Sequence, residues 1–161
     1  MKSICLFIVF LAASSSFILK DEWPLFRGDP RSQGVSNSKL SDSLNQLWEF
    51  QVPKGAFEGT PLIVDGRVYI GDLDGEVYCL NLKDGKLLWK TESEIGFIAS
   101  PAFHEGILVI GDYDGKVHGL DAKDGKQLWE FETQAQIDSG ANFYEDMVLV
   151  TSEDGNLYAL R

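Results

Sequence analysis

Cysteine is scarce in this chain, with only Cys5 and Cys79 among 161 residues. A lone cysteine downstream of the first twenty residues excludes an intramolecular disulfide framework. Basic residues are few as well: 14 Lys and Arg stand against 25 Asp and Glu, a formal net charge of −11. That balance excludes nucleic acid as the expected partner, since such binding neutralises phosphates with Lys and Arg. The acidity reads as a soluble surface. No stretch carries a convincing helical period, and there is no run of about 20 apolar residues of the kind a membrane helix needs. The apolar share is nevertheless 44% and the aromatic share 12%, which argues against disorder.

The one concentrated apolar run lies at the start, in MKSICLFIVFLAASSSFILK. Lys2, an apolar stretch from Ile4 to Ala13 and the small residues Ala12 to Ser16 have the layout of a secretory signal peptide. Residues 1–16 are assigned to it, with cleavage after Ser14, Ser15 or Ser16; an uncleaved anchor is the alternative. Removing Lys2 with it leaves 25 acidic against 13 basic residues, a net charge of −12. The expected location is therefore secreted or periplasmic. Cys5 precedes the apolar core, so no lipidation cysteine follows that core.

What is abundant is repetition. Residues 61–90, PLIVDGRVYIGDLDGEVYCLNLKDGKLLWK, and 101–130, PAFHEGILVIGDYDGKVHGLDAKDGKQLWE, agree at 15 of 30 positions without a gap. A third copy, ANFYEDMVLVTSEDGNLYALR at 141–161, keeps five of 21 positions of the second. NQLWEFQV at 45–52 resembles the close of a unit, as in KQLWEFET at 126–133. The period is 40. Self-similarity at that spacing is the mark of a repeat architecture, one supersecondary unit per copy.

Each unit reads as four short strands, in the first copy roughly 59–64, 67–72, 76–82 and 86–92. Val68-Tyr69-Ile70 and Val77-Tyr78-Cys79-Leu80 are rich in β-branched and aromatic residues. The intervening turns carry Asp-Gly or Glu-Gly pairs. Asp74-Gly75, Asp114-Gly115 and Asp154-Gly155 form one set of hairpin turns; Asp84-Gly85 and Asp124-Gly125 form another. ILVI at 107–110 is apolar on both faces of its strand, which suits a sheet covered on both sides. Four-stranded units of about 40 residues, so covered, predict blades of a β-propeller. The fold class is all-β: a partial propeller of antiparallel four-stranded blades, with about two and three-quarter blades present. The expected division is a lead-in at 17–44, a blade-closing outer strand at 45–56, blade 1 at 57–96, blade 2 at 97–136 and an incomplete blade 3 at 137–161.

The stretch Val117-His118-Gly119-Leu120-Asp121-Ala122-Lys123-Asp124-Gly125-Lys126-Gln127-Leu128-Trp129 resembles the closing pattern VYALDAKTGKxLW of the quinoprotein-type, or PQQ-like, propeller repeat. Asp124 stands where that family commonly has Thr. The paired Gly-His and Trp-Asp signals of WD40 blades are absent. WPLFRGDPRSQGVS at 23–36 is similar to the opening of secreted propeller proteins, including relatives of the outer-membrane assembly factor BamB. The resemblance covers about residues 23–161. It implies that Trp48, Trp89 and Trp129 dock across blade boundaries, near Gly85 and Gly125 of neighbouring turns. Their role would be structural.

The same resemblance reaches the PQQ-dependent dehydrogenases, which would imply a quinone in the channel, a calcium ion, an aspartate base and often a vicinal cysteine pair. No Cys-Cys occurs here, and no cluster of Glu, Asn and Asp stands apart from the repeated turns. No catalytic, cofactor-binding or metal residue is assigned; PQQ and calcium enter only as the alternative. Asp72-Leu73-Asp74-Gly75-Glu76 and Asp112-Tyr113-Asp114-Gly115 lack the distal bidentate carboxylate of a calcium loop and read as turns. His104 aligns with Val64 and Tyr144, and His118 with Tyr78 and Tyr158, so both read as strand residues. Cys79 aligns with Gly119 and Ala159 and reads as a small packed hydrophobe. The Arg-Gly-Asp triplet at 27–29 carries no weight.

The expected function is a non-catalytic envelope scaffold holding an unidentified protein or small ligand at a blade rim or the channel. Candidate contacts are the loops 54–58, 94–98 and 134–139. A BamB-like assembly factor and a dehydrogenase segment without its active-site blades are the alternatives. Arg161 falls at the end of a third strand. That leaves three expectations open: a piece of a longer propeller, self-association of copies through open blade edges, or closure of blade 3 by residues 45–52.

Overall fold

The computed structural model describes residues 22–28, 34–36 and 39–161. The expected signal peptide lies outside them. Eleven strands follow in chain order: β1 (Leu62–Val64), β2 (Arg67–Gly71), β3 (Glu76–Asn81), β4 (Leu87–Glu92), β5 (Ala102–His104), β6 (Ile107–Gly111), β7 (Lys116–Asp121), β8 (Gln127–Glu132), β9 (Asn142–Tyr144), β10 (Met147–Thr151) and β11 (Leu157–Leu160). They form three antiparallel sheets in simple meander order: β1-β2-β3-β4, β5-β6-β7-β8 and β9-β10-β11. The protein is an all-β, open partial propeller.

The first strand of each sheet starts later than the sequence suggests, at Leu62 rather than residue 59. Pro61 has no N–H to give to a ladder. Thr60 N instead donates to Ser100 Oγ at 2.8 Å, tying the approach of blade 1 to that of blade 2. Residues 45–52 form no strand among the described residues, yet Trp48, Phe50 and Val52 pack on Val68, Ile70, Tyr78 and Leu80.

Alternate side chains of a strand point to opposite faces, and both faces are buried here. Val68 and Ile70 face the segment 45–52, whereas Tyr69, Val77 and Cys79 face Leu108, Ile110, Leu120 and Ala122 of blade 2. Blade 2 in turn places Val109 and Val117 against Ile137, Ala141 and Val150 of blade 3. Each apolar cluster is thus a layer between sheets, which is why the middle strands lack polar alternation. The register of β3 with β4 shifts between Cys79 and Leu80, so Cys79 opposes Trp89 and Leu80 opposes Leu87. β7 and β8 repeat the bulge at Gly119 and Leu120. A bulge adds one residue and re-aims the strand.

The segment before the blades has its own place. Trp23 bridges Ile63 through two backbone hydrogen bonds of 2.7 and 3.0 Å, and Phe103 N donates to Pro24 O at 2.9 Å. Leu25 is buried in the layer between blades 2 and 3. The strap therefore crosses the innermost strands β1 and β5.

Candidate functional site

Two of the repeated tryptophans, Trp48 and Trp89, form joints across a blade boundary. Trp48 Nε1 donates to Leu82 O at 2.9 Å, and its ring lies where a Cβ on Gly85 would stand 2.6 Å away. Trp89 repeats this one blade on, donating to Ala122 O at 3.2 Å with its ring 2.5 Å from the Cβ position of Gly125. Tyr69 OH (3.1 Å) and Arg67 (3.0 Å) donate to the same Ala122 carbonyl. Burial pushes the Tyr69 phenol up to about 12, leaving it a donor at any physiological pH. Trp129 is half-buried and lies over Gly119 on its own sheet, where a Cβ would overlap the indole. Cys79, the equivalent of Gly119, is fully buried, and burial raises its thiol to about 11. It carries no reactive thiolate.

The hairpin between the second and third strands forms one rim. Its organiser is the residue two places before the expected turn aspartate. Asp72 Oδ1 accepts from Asp74 N (3.1 Å) and Glu76 N (2.8 Å), and Oδ2 accepts from Tyr78 OH at 2.9 Å. Asp112 repeats the pattern with Asp114 N (3.0 Å) and Lys116 N (2.8 Å), and its Oδ2 meets His118 Nε2 at 2.8 Å. In blade 3 the position is Ser152, and Asp154 takes Tyr158 OH instead, at 2.6 Å. Burial pushes the Asp112 carboxyl up, but the hydrogen bonds from His118 and the amides of Lys116 and Asp114 outweigh it and hold it below 3.8. Burial and the bonds to Glu76 and Asp72 push the Tyr78 phenol far up. Gly75, Gly115 and Gly155 follow at positive φ.

The three candidate rim loops are each pinned to a hairpin. Leu73 N donates to Ala56 O, Tyr113 N to Gly96 O and Glu153 N to Gln136 O, all at 3.0 Å. Phe57, Leu73 and Tyr113 stand exposed there, Tyr113 at 54%. Among the described residues no three His, Cys, Asp or Glu side chains converge on a common metal position. His104 is exposed and stacks on Phe143, with ring centroids 5.0 Å apart. His118 is 6% exposed, and its role was missed in the sequence because its partner Asp112 lies six residues away on the facing strand end. The i, i+6 pairing of Asp112 with His118, repeated by Asp72 and Tyr78, was the available signal.

A family model described as the outer membrane protein assembly factor BamB matches residues 41–161. The chain belongs to the BamB family. Among solved structures it is similar to BamB from Moraxella catarrhalis, with a TM-score of 0.63 and 21% identity over 71% of this chain and 36% of that one. A quinohemoprotein alcohol dehydrogenase from Pseudomonas putida HK5 gives 0.71 and 22%, over 81% of this chain and 22% of that one. A europium-containing methanol dehydrogenase gives 0.72 and 20%, over 86% and 30%. At such identities these likenesses establish the PQQ-like propeller fold, and the chain spans at most 36% of those three proteins. No curated protein matches the sequence.

Proposed function

We propose that the protein is a non-catalytic propeller scaffold of the cell envelope, which holds a partner protein on its blade rim. The observation that carries this reading is the pinned rim. Three successive loops are each fixed to a hairpin by an equivalent 3.0 Å backbone bond, and Phe57, Leu73 and Tyr113 project from that frame. Exposed apolar and aromatic residues on rigid turns suit a protein contact, because little loop entropy is lost on binding. The envelope location rests on the apolar leader-like start and on the family's description.

Catalysis through a quinone with calcium is disfavoured by the donor set. The carboxylates of Asp72 and Asp112 are consumed by turn amides and by Tyr78 and His118, and the strap from Trp23 to Leu25 runs along the innermost strands.

The test is a photo-crosslinking residue placed at Tyr113 in the natural protein in cells, with Glu58 as a second site. The expected result is one discrete adduct with an outer-membrane assembly component. No adduct at either site overturns the partner reading. A stoichiometric absorbance change on adding the quinone with calcium to the pure protein would sink the non-catalytic one.

A further inference from the structure

The three blade interfaces are not filled alike. Two residues after its tryptophan, the segment ahead of blade 1 carries Phe50, whose ring meets Tyr78 edge-on at 5.2 Å. Between blades 2 and 3, Phe131 meets Tyr158 in the same way at 5.4 Å. Between blades 1 and 2 both partners change: the position two after Trp89 is Thr91, and the ring opposite is His118. Thr91 turns its hydroxyl to Gly125 O at 2.6 Å and adds no ring to this interface, where His118 meets Phe97 of its own blade edge-on at 5.5 Å. A cleft of about 490 Å3 opens there, with Thr91, Phe97 and His118 in its wall. That volume lies within the range of small-ligand sites.

The chemistry of the wall is defined. Asp112 is an acceptor, so the His118 Nε2 facing it at 2.8 Å carries the hydrogen. In the neutral imidazole Nδ1 is then a bare acceptor, and it stands 3.9 Å from Glu130 Oε2, beyond hydrogen-bond reach. The His118 side chain is only 7% exposed, yet no fully buried side-chain N or O among the described residues lacks a hydrogen bond, so Nδ1 keeps its access to solvent through the cleft. Around the mouth Glu94 and Asp114 make no ion pair with any described residue, and Lys116 is the one Lys or Arg in the wall.

We propose that this cleft binds an aromatic ring carrying a primary ammonium on a short alkyl arm. The ring takes the place that Phe50 and Phe131 fill in the sister interfaces. The ammonium donates to His118 Nδ1 and Glu130 Oε2, which are close enough together to share one nitrogen. An anionic analogue meets the acids at the mouth and is refused. The source is either a free arylalkylamine or a polypeptide whose first residue is phenylalanine. This site lies between blades and does not depend on the rim contact, so either reading survives the other's failure.

The test is an NMR titration of the natural protein following the His118 imidazole. The probes are phenethylammonium, phenylacetate and the peptide Phe-Gly-Gly-amide. Phenethylammonium is expected to give a saturable shift, and phenylacetate none. Thr91→Phe restores the ring used next door and is expected to weaken binding by about tenfold or more, a difference well resolved as an affinity ratio. Glu130→Gln, which fills nothing, is expected to weaken it several-fold. Tighter binding of the peptide than of the amine assigns the site to a polypeptide end; equal or weaker binding assigns it to the free amine. Absence of a saturable shift with either cation at millimolar concentration overturns the proposal, as does unchanged binding in Thr91→Phe.

Discussion

At the scale of single residues, the most constrained group is Asp112. It is fully buried and spends one oxygen on two amides of its own hairpin and the other on His118. Asp112→Asn keeps the shape but turns an N–H donor towards the imidazole N–H. Leaving buried donors unmet is expected to cost about 1–3 kcal/mol. The pH dependence has a definite sign. The folded carboxyl lies below its ordinary value of 3.8, so its contribution is complete above that value and is lost as pH falls through the lower folded one. Urea unfolding of both proteins should therefore show a constant gap from pH 7 to pH 5 that narrows below about pH 4. A gap that widens in acid would contradict this arrangement. His118 was legible as the odd member of a Tyr-His-Tyr column. What the column hid is that Thr91 departs together with it, because the two lie 27 residues apart in the chain and meet only across the interface.

At the scale of elements, the blade joint can be separated from backbone strain by choosing two glycines. Gly125 and Gly106 both lie at positive φ, 78° and 85°, but only Gly125 has the Trp89 ring against it; a Cβ on Gly106 meets nothing within 4 Å. Gly106→Ala is expected to cost about 1 kcal/mol, the left-handed penalty alone. Gly125→Ala adds about 1–3 kcal/mol of overpacking. Thermal or denaturant unfolding of the pair measures the difference, and equal losses would mean that the ring does not brace the turn. The strands themselves were legible, since a 40-residue period and Asp-Gly turns locate four per unit to within a few residues. The bulges at Leu80 and Leu120 were not. KLLW and KQLW look like ordinary strand starts, and the extra residue shows only when pairing is counted from both sides. Likewise the sequence marks the indole but not its acceptor, because any backbone carbonyl can serve and Leu82 and Ala122 carry no shared side chain.

At the scale of the whole molecule, the segment 45–52 covers the outer side of blade 1, while blade 3 leaves large apolar side chains exposed. Leu157 is 68% exposed and Tyr144 61% on the outer side of blade 3, and β11 pairs only with β10 among the described strands. An unpaired strand beside an apolar face invites association. The 161-residue chain prepared alone is expected to gain weight-average mass with concentration, read by light scattering, and Leu157→Lys is expected to reduce that gain. A mass fixed at the monomer across concentrations would show that these surfaces do not adhere.

The strap along the innermost strands bears on how such a chain is made. Trp23 meets Ile63, 40 residues later, and Phe26 lies beside Gly140, a separation of 114. Synthesis delivers these residues before any blade exists for them to hold. A segment made ahead of the blades it touches is consequently late to dock, and it closes over the inner strands only when two sheets have formed beneath it.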